Sequence, residues 1–319
     1  MDGGGLQTVT RIVIPDDEPA VMVPSAAFAR LAGHDVRTYA DRPSSGDELV
    51  RRIGDADIVI NIRSTSRFTA DVLARCPRLR LISIWGTGTD NVDLTASTAH
   101  GVRVTNTPGV SAVAVAEHTL ALILAAAKQI VAVDGQVRNG KWPRAMVSQL
   151  RGKTLGLIGT GAIGREVARL GRAIGMRVIA WTFHPAGDVA EWVEFDEVFR
   201  RADVVSVHVR QSADTSGFIG RDQFTLMKPN AIFVNTARGA VVNEADLIDA
   251  LQSNRIAGAG LDVFVEEPLP PDSRFRSLSN VVLTPHAAGI TPETTEAGLA
   301  LAIENVFAFL EGKAKNIVV

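Results

Sequence analysis

Leu155-Gly156-Leu157-Ile158-Gly159-Thr160-Gly161-Ala162-Ile163-Gly164 is an apolar run that passes directly into Arg165-Glu166-Val167-Ala168-Arg169-Leu170. The first part has the composition of a buried strand and the second the spacing of a helix, so the three glycines fall in the turn between them. Gly159 permits the tight turn, and Gly161 lets backbone N–H groups come close to a pyrophosphate. Gly164 lets the new helix pack against the strand, while the helix N-terminus adds partial positive charge. A GxGxxG alone is a weak signal. Placed between an apolar strand and a helix, it reads as a dinucleotide-binding turn.

The other half of that fingerprint is absent. Arg177-Val178-Ile179-Ala180-Trp181 reads as the next strand, and its end is where an acidic residue normally holds the adenosine ribose, about 20 residues past the glycines. Thr182 stands there, followed by Phe183, His184 and Pro185. A carboxylate would repel a 2′-phosphate, so its absence removes the main barrier to NADP. No arginine follows closely to grip such a phosphate, and His184 reads as a solvated loop residue. The cofactor choice, NAD or NADP, stays open.

Working outward, Thr10–Ile14, Asp35–Tyr39, Asp57–Ile60, Leu79–Ile84 and Gly101–Thr105 read as short strands. Ser25–Ala32 and Thr69–Arg75 read as helices between them. Such alternation predicts a parallel sheet covered by helices. Asn106-Thr107-Pro108-Gly109 is a turn signal marking the first crossing between domains, and one long helix is predicted from Ser111 to Arg138. Beyond the glycine turn, strands are expected at Asp203–His208, Ala231–Asn235, Gly258–Leu261 and Val281–Thr284. Helices are expected at Asn243–Gln252 and, capped by Thr291, at Pro292–Gly312.

At 319 residues the chain is long enough for two domains. Its formal charge of −2, with no basic run, argues against nucleic acid or an anionic membrane as partner. The apolar stretch Val110–Val133 is interrupted by Glu117, His118, Lys128 and Gln129, which points to a buried helix rather than a membrane span. Met1–Gly5 has no apolar core of the kind a secretory leader carries. A single cysteine, Cys76, suits a reducing cytosol. A cytoplasmic enzyme without a metal is therefore expected.

Three polar residues follow strands of the nucleotide-binding half: Arg238 after Val234-Asn235-Thr236-Ala237, Glu267 in Asp262-Val263-Phe264-Val265-Glu266-Glu267-Pro268, and His286 after Thr284-Pro285. Taken singly, each has a plainer reading: a surface cation, a solvated loop carboxylate, a strand-end histidine bonded to backbone. In an open α/β sheet, however, ligands collect beyond the carboxyl ends of the strands, where all three would meet. A 2-oxo acid needs such a set. Arginine binds its carboxylate and polarises its ketone, histidine supplies a proton to the developing alkoxide, and a carboxylate keeps the imidazole protonated.

The ordered series Gly86-Thr87-Gly88-Thr89-Asp90-Asn91-Val92-Asp93, Asn106–Gly109, Ala116-Glu117-His118, Gly159–Gly164, Asn235–Gly239, Asp262-Val263-Phe264, Glu267-Pro268 and Pro285-His286-Ala287-Ala288-Gly289 resembles the D-isomer-specific 2-hydroxyacid dehydrogenases. That family includes glyoxylate/hydroxypyruvate reductases and phosphoglycerate dehydrogenases. The resemblance implies two α/β domains, Rossmann-like and flavodoxin-like, with parallel sheets and an active-site cleft between them. The substrate-binding domain would comprise residues 1–106 and 287–319, and the NAD(P)-binding domain residues 107–286. The helix at 111–138 would be a dimerisation element of a homodimer.

By motif position, Arg238 would bind the carboxylate and carbonyl of a small 2-oxo or 2-hydroxy acid, His286 would be the acid/base and Glu267 its partner. Gly159, Gly161, Ala162, Ile163 and Gly164 would meet the pyrophosphate, and Thr182 the adenosine ribose. Thr236 and Ala237 would line the nicotinamide ribose side, Asp262 would hold the carboxamide, and Gly289 would also border the cofactor. Ser64 and Thr65, with Thr87 and Gly88, resemble the family's substrate-carboxylate contacts. Trp85, just before that loop, stands where a smaller residue is common. Two rivals remain on the same scaffold: a phosphite-type dehydrogenase and a non-catalytic, NADH-sensing corepressor. Formate dehydrogenases resembling this family carry glutamine where Glu267 stands.

Overall fold

The computed structural model describes residues 9–319; the glycine-rich start, Met1 to Gly5, lies outside the described residues. The chain divides into two compact units, one made of the residues up to Ser111 together with Thr291–Val319, the other of Ala112–Ile290. Each is a parallel sheet flanked by helices.

In the first unit the elements run β1 (Arg11–Ile14), β2 (Asp35–Thr38), α1 (Gly46–Ile53), β3 (Ile58–Asn61), α2 (Ala70–Ala74), β4 (Leu81–Ile84), α3 (Leu94–Ala99) and β5 (Arg103–Thr105). Strand order is β2-β1-β3-β4-β5. The reversal of order between β1 and β3 is the switch point of the flavodoxin-like arrangement. Strands β3 and β4 are buried along their whole length, as expected of a sheet covered on both faces. Helices α1, α2 and α3 start at Ser45, Thr69 and Asp93, whose side chains each accept an N–H of the first turn. The stretch read as a helix from Ser25 is instead turns and a short 3-10 segment at Phe28–Leu31.

The second unit opens with α4 (Ala112–Ala127) and α5 (Ile130–Arg138). The single long helix expected here is in fact two, bent by 59°. Gln129 is the break, with a left-handed φ of 52°. No single helix among the described residues is long and apolar enough to cross a membrane. Then follow β6 (Thr154–Ile158), α6 (Ala162–Ala173), β7 (Arg177–Trp181), β8 (Glu191–Trp192), α7 (Phe195–Arg201), β9 (Val204–Val207), α8 (Arg221–Leu226), β10 (Ile232–Asn235), α9 (Glu244–Gln252), β11 (Gly258–Leu261) and β12 (Val281–Leu283).

The seven strands lie in the order β12-β11-β10-β9-β6-β7-β8, all parallel. Order reverses between β6 and β9, so this sheet too has its switch point beside the glycine turn. Helix α4 lies against β11, where a Cβ on Gly260 would come within 2.9 Å of the Leu122 side chain. Last in the chain, α10 (Pro292–Leu310) returns to the first unit, capped by Thr291 on the N–H of Thr294. It buries Leu299, Ala302, Ile303 and Val306 against Ile12, Ile14, Ile60 and Leu81. Cys76 is buried in the first unit's other core, and burial pushes its thiol up.

Candidate active site

The turn after β6 is built by close contacts that exclude side chains. Gly159 has a φ of 99°, and a Cβ there would sit 2.8 Å from the backbone of His208. At Gly164 a Cβ would lie 2.3 Å from the Gly159 carbonyl oxygen, which explains how the start of α6 presses onto the turn. Gly161 is the N-cap of α6, and a Cβ there would meet nothing within 4 Å. The space above the first turn is thus open, and the leading N–H groups of Ala162 and Ile163 have no acceptor within the helix. A pyrophosphate fits that cradle.

Behind the turn, His208 follows β9 with its Nε2 2.9 Å from Ser206 Oγ. Its Nδ1 is shielded from solvent without a hydrogen-bond partner among the described residues. Burial pushes this imidazole down to about 3, so it is neutral at physiological pH. The sequence marks His208 only as the last residue of a strand.

At the end of β7, Thr182 borders a cavity of about 430 Å³ with Trp181, Pro185, Trp192, Glu194 and Glu197. Two carboxylates and no cation line it.

The turn after β12 holds His286 in a left-handed conformation, φ 53°. Asp262, fully buried at the end of β11, organises this turn. Its carbonyl accepts the His286 N–H at 2.7 Å, and its carboxylate accepts the N–H groups of Ala287 and Ala288, each at 2.9 Å. Thr284 Oγ1 donates to the same carboxylate at 2.6 Å. Asp262 therefore already serves the protein itself with both oxygens. Gly289 ends the turn, half-buried.

Within it, His286 Nδ1 lies 2.7 Å from Glu267 Oε2. The other Glu267 oxygen accepts the N–H of Phe264 at 2.9 Å. Burial raises the Glu267 carboxyl, but the hydrogen bond and charge of His286, the Phe264 N–H and the Arg238 charge outweigh it and hold the group below its ordinary range. Glu267 is thus a carboxylate at neutral pH, aimed at one imidazole nitrogen and leaving Nε2 for another partner.

Arg238 follows β10, and its Nη1 donates to the Ala237 carbonyl at 2.8 Å. Asn235 shapes this loop, donating to the Arg238 carbonyl and accepting from the Ala237 N–H. Gly239 then presses so closely on the next loop that a Cβ would lie 2.0 Å from the Phe264 backbone. That approach brings the arginine loop beside the Glu267 loop. Glu244, which no sequence signal singled out, ties the same loop by accepting the Val265 N–H at 2.7 Å; burial raises its carboxyl. Thr236 is buried, its hydroxyl 2.9 Å from that of Thr119 on α4.

Ser64, Thr65, Thr87 and Gly88 belong to the first unit. Ser64 and Thr65 are exposed, and the Thr65 hydroxyl donates to Asp16 at 2.9 Å. The Thr87 carbonyl accepts from Asn106, and the Gly86 N–H donates to the Thr107 hydroxyl at 2.7 Å. The Asn106–Gly109 turn signal thus also braces this loop. Trp85 lies over α10, where a Cβ on Gly298 would come within 2.0 Å of the indole nitrogen. The large residue is accommodated by a missing side chain opposite it.

Two parallel sheets, a glycine turn at a switch point and a paired histidine and carboxylate beyond the strand ends describe a nucleotide-dependent oxidoreductase of the α/β class. The chain belongs to the D-isomer specific 2-hydroxyacid dehydrogenases. Residues 120–288 match the family's NAD binding domain. A glyoxylate reductase of Aeropyrum pernix is 41% identical over 286 residues, 85% of each chain. Among solved structures, an acyclic imino acid reductase in complex with NADPH and D-Arg superposes with a TM-score of 0.90 at 31% identity, covering 97% of this chain and all of that one. A D-lactate dehydrogenase from Aquifex aeolicus, complexed with NAD and lactic acid, gives 0.84 at 29% identity, covering 95% and 96%. The protein is an NAD(P)-dependent oxidoreductase acting on CH–OH donors.

Proposed function

We propose that the protein reduces small 2-oxo acids, glyoxylate or hydroxypyruvate in particular, to the D-2-hydroxy acids. The observation that carries this reading is the 2.7 Å contact between His286 and Glu267, with the Arg238 charge acting on the same carboxylate. The nicotinamide cofactor supplies the hydride when bound. Arg238 binds the substrate carboxylate and polarises the ketone oxygen. His286 donates a proton from Nε2 to that oxygen as negative charge develops, and Glu267 accepts from Nδ1–H and fixes the orientation of the ring. In the oxidative direction the same nitrogen accepts the alcohol proton.

Gly159, Gly161, Ala162, Ile163 and Gly164 hold the pyrophosphate in this proposal, with Thr182 at the adenosine ribose. Thr236, Ala237, Asp262 and Gly289 border the nicotinamide half. Ser64, Thr65, Thr87 and Gly88 contact the substrate carboxylate, a role that rests on the family resemblance. The carboxylates Glu194 and Glu197 beside Thr182 weigh toward NAD over a cofactor bearing a 2′-phosphate.

A homodimer is supported by apolar side chains exposed along α5 and the segment after it. Ile130, Val131, Trp142 and Met146 are all more than half exposed, Met146 to 95%. Light scattering in solution measures that state. The buried single cysteine fits a cytoplasmic location.

The test is oxidation of NADH and NADPH in parallel with glyoxylate, hydroxypyruvate and longer 2-oxo acids. Arg238→Ala and His286→Ala are each expected to lower kcat/KM by roughly 10²–10⁴-fold. Unchanged turnover in either variant would refute the assignment. Phosphite-dependent NAD reduction would favour the rival dehydrogenase, and cofactor binding with no turnover on any acid would favour a sensor.

A further inference from the structure

Helix α4 reaches the histidine turn through a side chain to which the mechanism gives no part. His118 Nε2 lies 3.0 Å from Thr284 Oγ1 and 3.5 Å from Asp262 Oδ1. The direction of these bonds can be deduced. Thr284 has one hydroxyl proton, and its oxygen is 2.6 Å from a carboxylate oxygen that can only accept. The proton points to Asp262, so His118 must donate its Nε2–H to Thr284. Asp262 passes this order on, because its carboxylate holds the Ala287 and Ala288 N–H groups and its carbonyl holds that of His286.

A directed chain of hydrogen bonds therefore runs from α4 to the backbone on which His286 sits. That backbone needs holding. A non-glycine residue at φ 53° occupies a strained conformation that persists only where its surroundings impose it. The neighbouring residue on α4 makes a parallel contact. Thr119 gives its proton to the Val115 carbonyl, so Thr236 at the end of β10 donates to Thr119. Consecutive residues of one helix thus brace the strand ends that lead to His286 and to Arg238.

We propose that His118 is a positioning residue for the reaction: its Nε2–H, through Thr284 and Asp262, sets the orientation in which His286 meets Glu267. This rests on the reading of His286 as the acid/base group. His118→Phe keeps a ring but loses the donor, and is expected to lower kcat with glyoxylate roughly ten- to a hundredfold, with KM for NADH little changed. His118→Gln places an amide N–H at similar reach and is expected to recover most of kcat. Thr284→Val breaks the chain at the next link, so it should give the same loss, and the double variant should be no worse than either single one.

Native kcat in folded His118→Phe would overturn the proposal. So would additive losses in the double variant, or no recovery with glutamine. If His118→Phe does not fold, native kcat in Thr284→Val overturns the proposal by itself. Failure of the underlying reading is seen separately, as turnover surviving in His286→Ala.

Discussion

Two turns of the second unit solve the same backbone problem in opposite ways. The turn after β6 needs a positive φ and uses glycine, at 99° in Gly159. The turn after β12 also needs one and uses His286, at 53°. Glycine adopts such angles at no steric cost, so the first turn is specified by its own residues. The second carries the side chain proposed as the acid/base group, and it depends on groups from elsewhere: Asp262 beneath it, with Thr284 and His118 behind. The glycine turn is set by its own residue types, although it packs on His208, whereas the histidine turn is a tertiary construction.

The contrast predicts where each turn fails. Asp262→Ala should do the most damage, since it strands the buried N–H of Ala288, that of Ala287 and the Thr284 hydroxyl at once. Each stranded donor costs roughly 1–3 kcal/mol, so chemical denaturation should show a loss of several kcal/mol, with turnover falling along with it. A stable, active Asp262→Ala enzyme would break the comparison.

Gly159→Ala comes next. The added methyl meets the His208 backbone at 2.8 Å in a conformation alanine disfavours, at a cost of roughly 1–3 kcal/mol. Weaker NADH binding by fluorescence titration is expected, while the His286–Glu267 pair stays intact. Native NADH affinity would show that the turn is less self-contained than argued.

Glu267→Gln is the mildest change. Glu267 lies below its usual range, so its ionised, paired form is complete above that range. The pairing, with the stability it adds, is lost as pH falls through the lowered value. Above that point the carboxylate holds the imidazole through Nδ1. Replacing it with an amide should therefore remove the acid limb that the Glu267 titration gives the pH–rate profile. A profile whose acid limb is unchanged would leave Glu267 only a structural part.

The same contrast explains what could be read from sequence. The glycine turn is legible because Gly159, Gly161 and Gly164 stand together in sequence and their residue types admit few readings, even though the turn packs on the distant His208. Arg238, Glu267 and His286 are recognisable as polar residues after strands, and the pairing of the last two crosses a gap of 19 residues. The engagement of Asp262 by Thr284, Ala287 and Ala288 depends on contacts 22–26 residues away, which no local pattern marks. His118 lies farther still, 166 residues from Thr284. Nor does Lys128-Gln129 contain a glycine or proline to announce the break between α4 and α5, so the apolar run reads as one helix.

Helix α10 closes the first unit from the far end of the chain. Its apolar face covers Ile12, Ile14 and Leu81, and the segment after it exchanges backbone hydrogen bonds with β5, from Val104 to Val319 and from Val318 to Val104. During synthesis those N-terminal strands leave the ribosome about 200 to 280 residues ahead of their cover, with the whole of Ala112–Ile290 made in between. A chain truncated after residue 290 should thus hold a protease-resistant second unit and a readily cleaved first one, and be more prone to aggregate than the full chain.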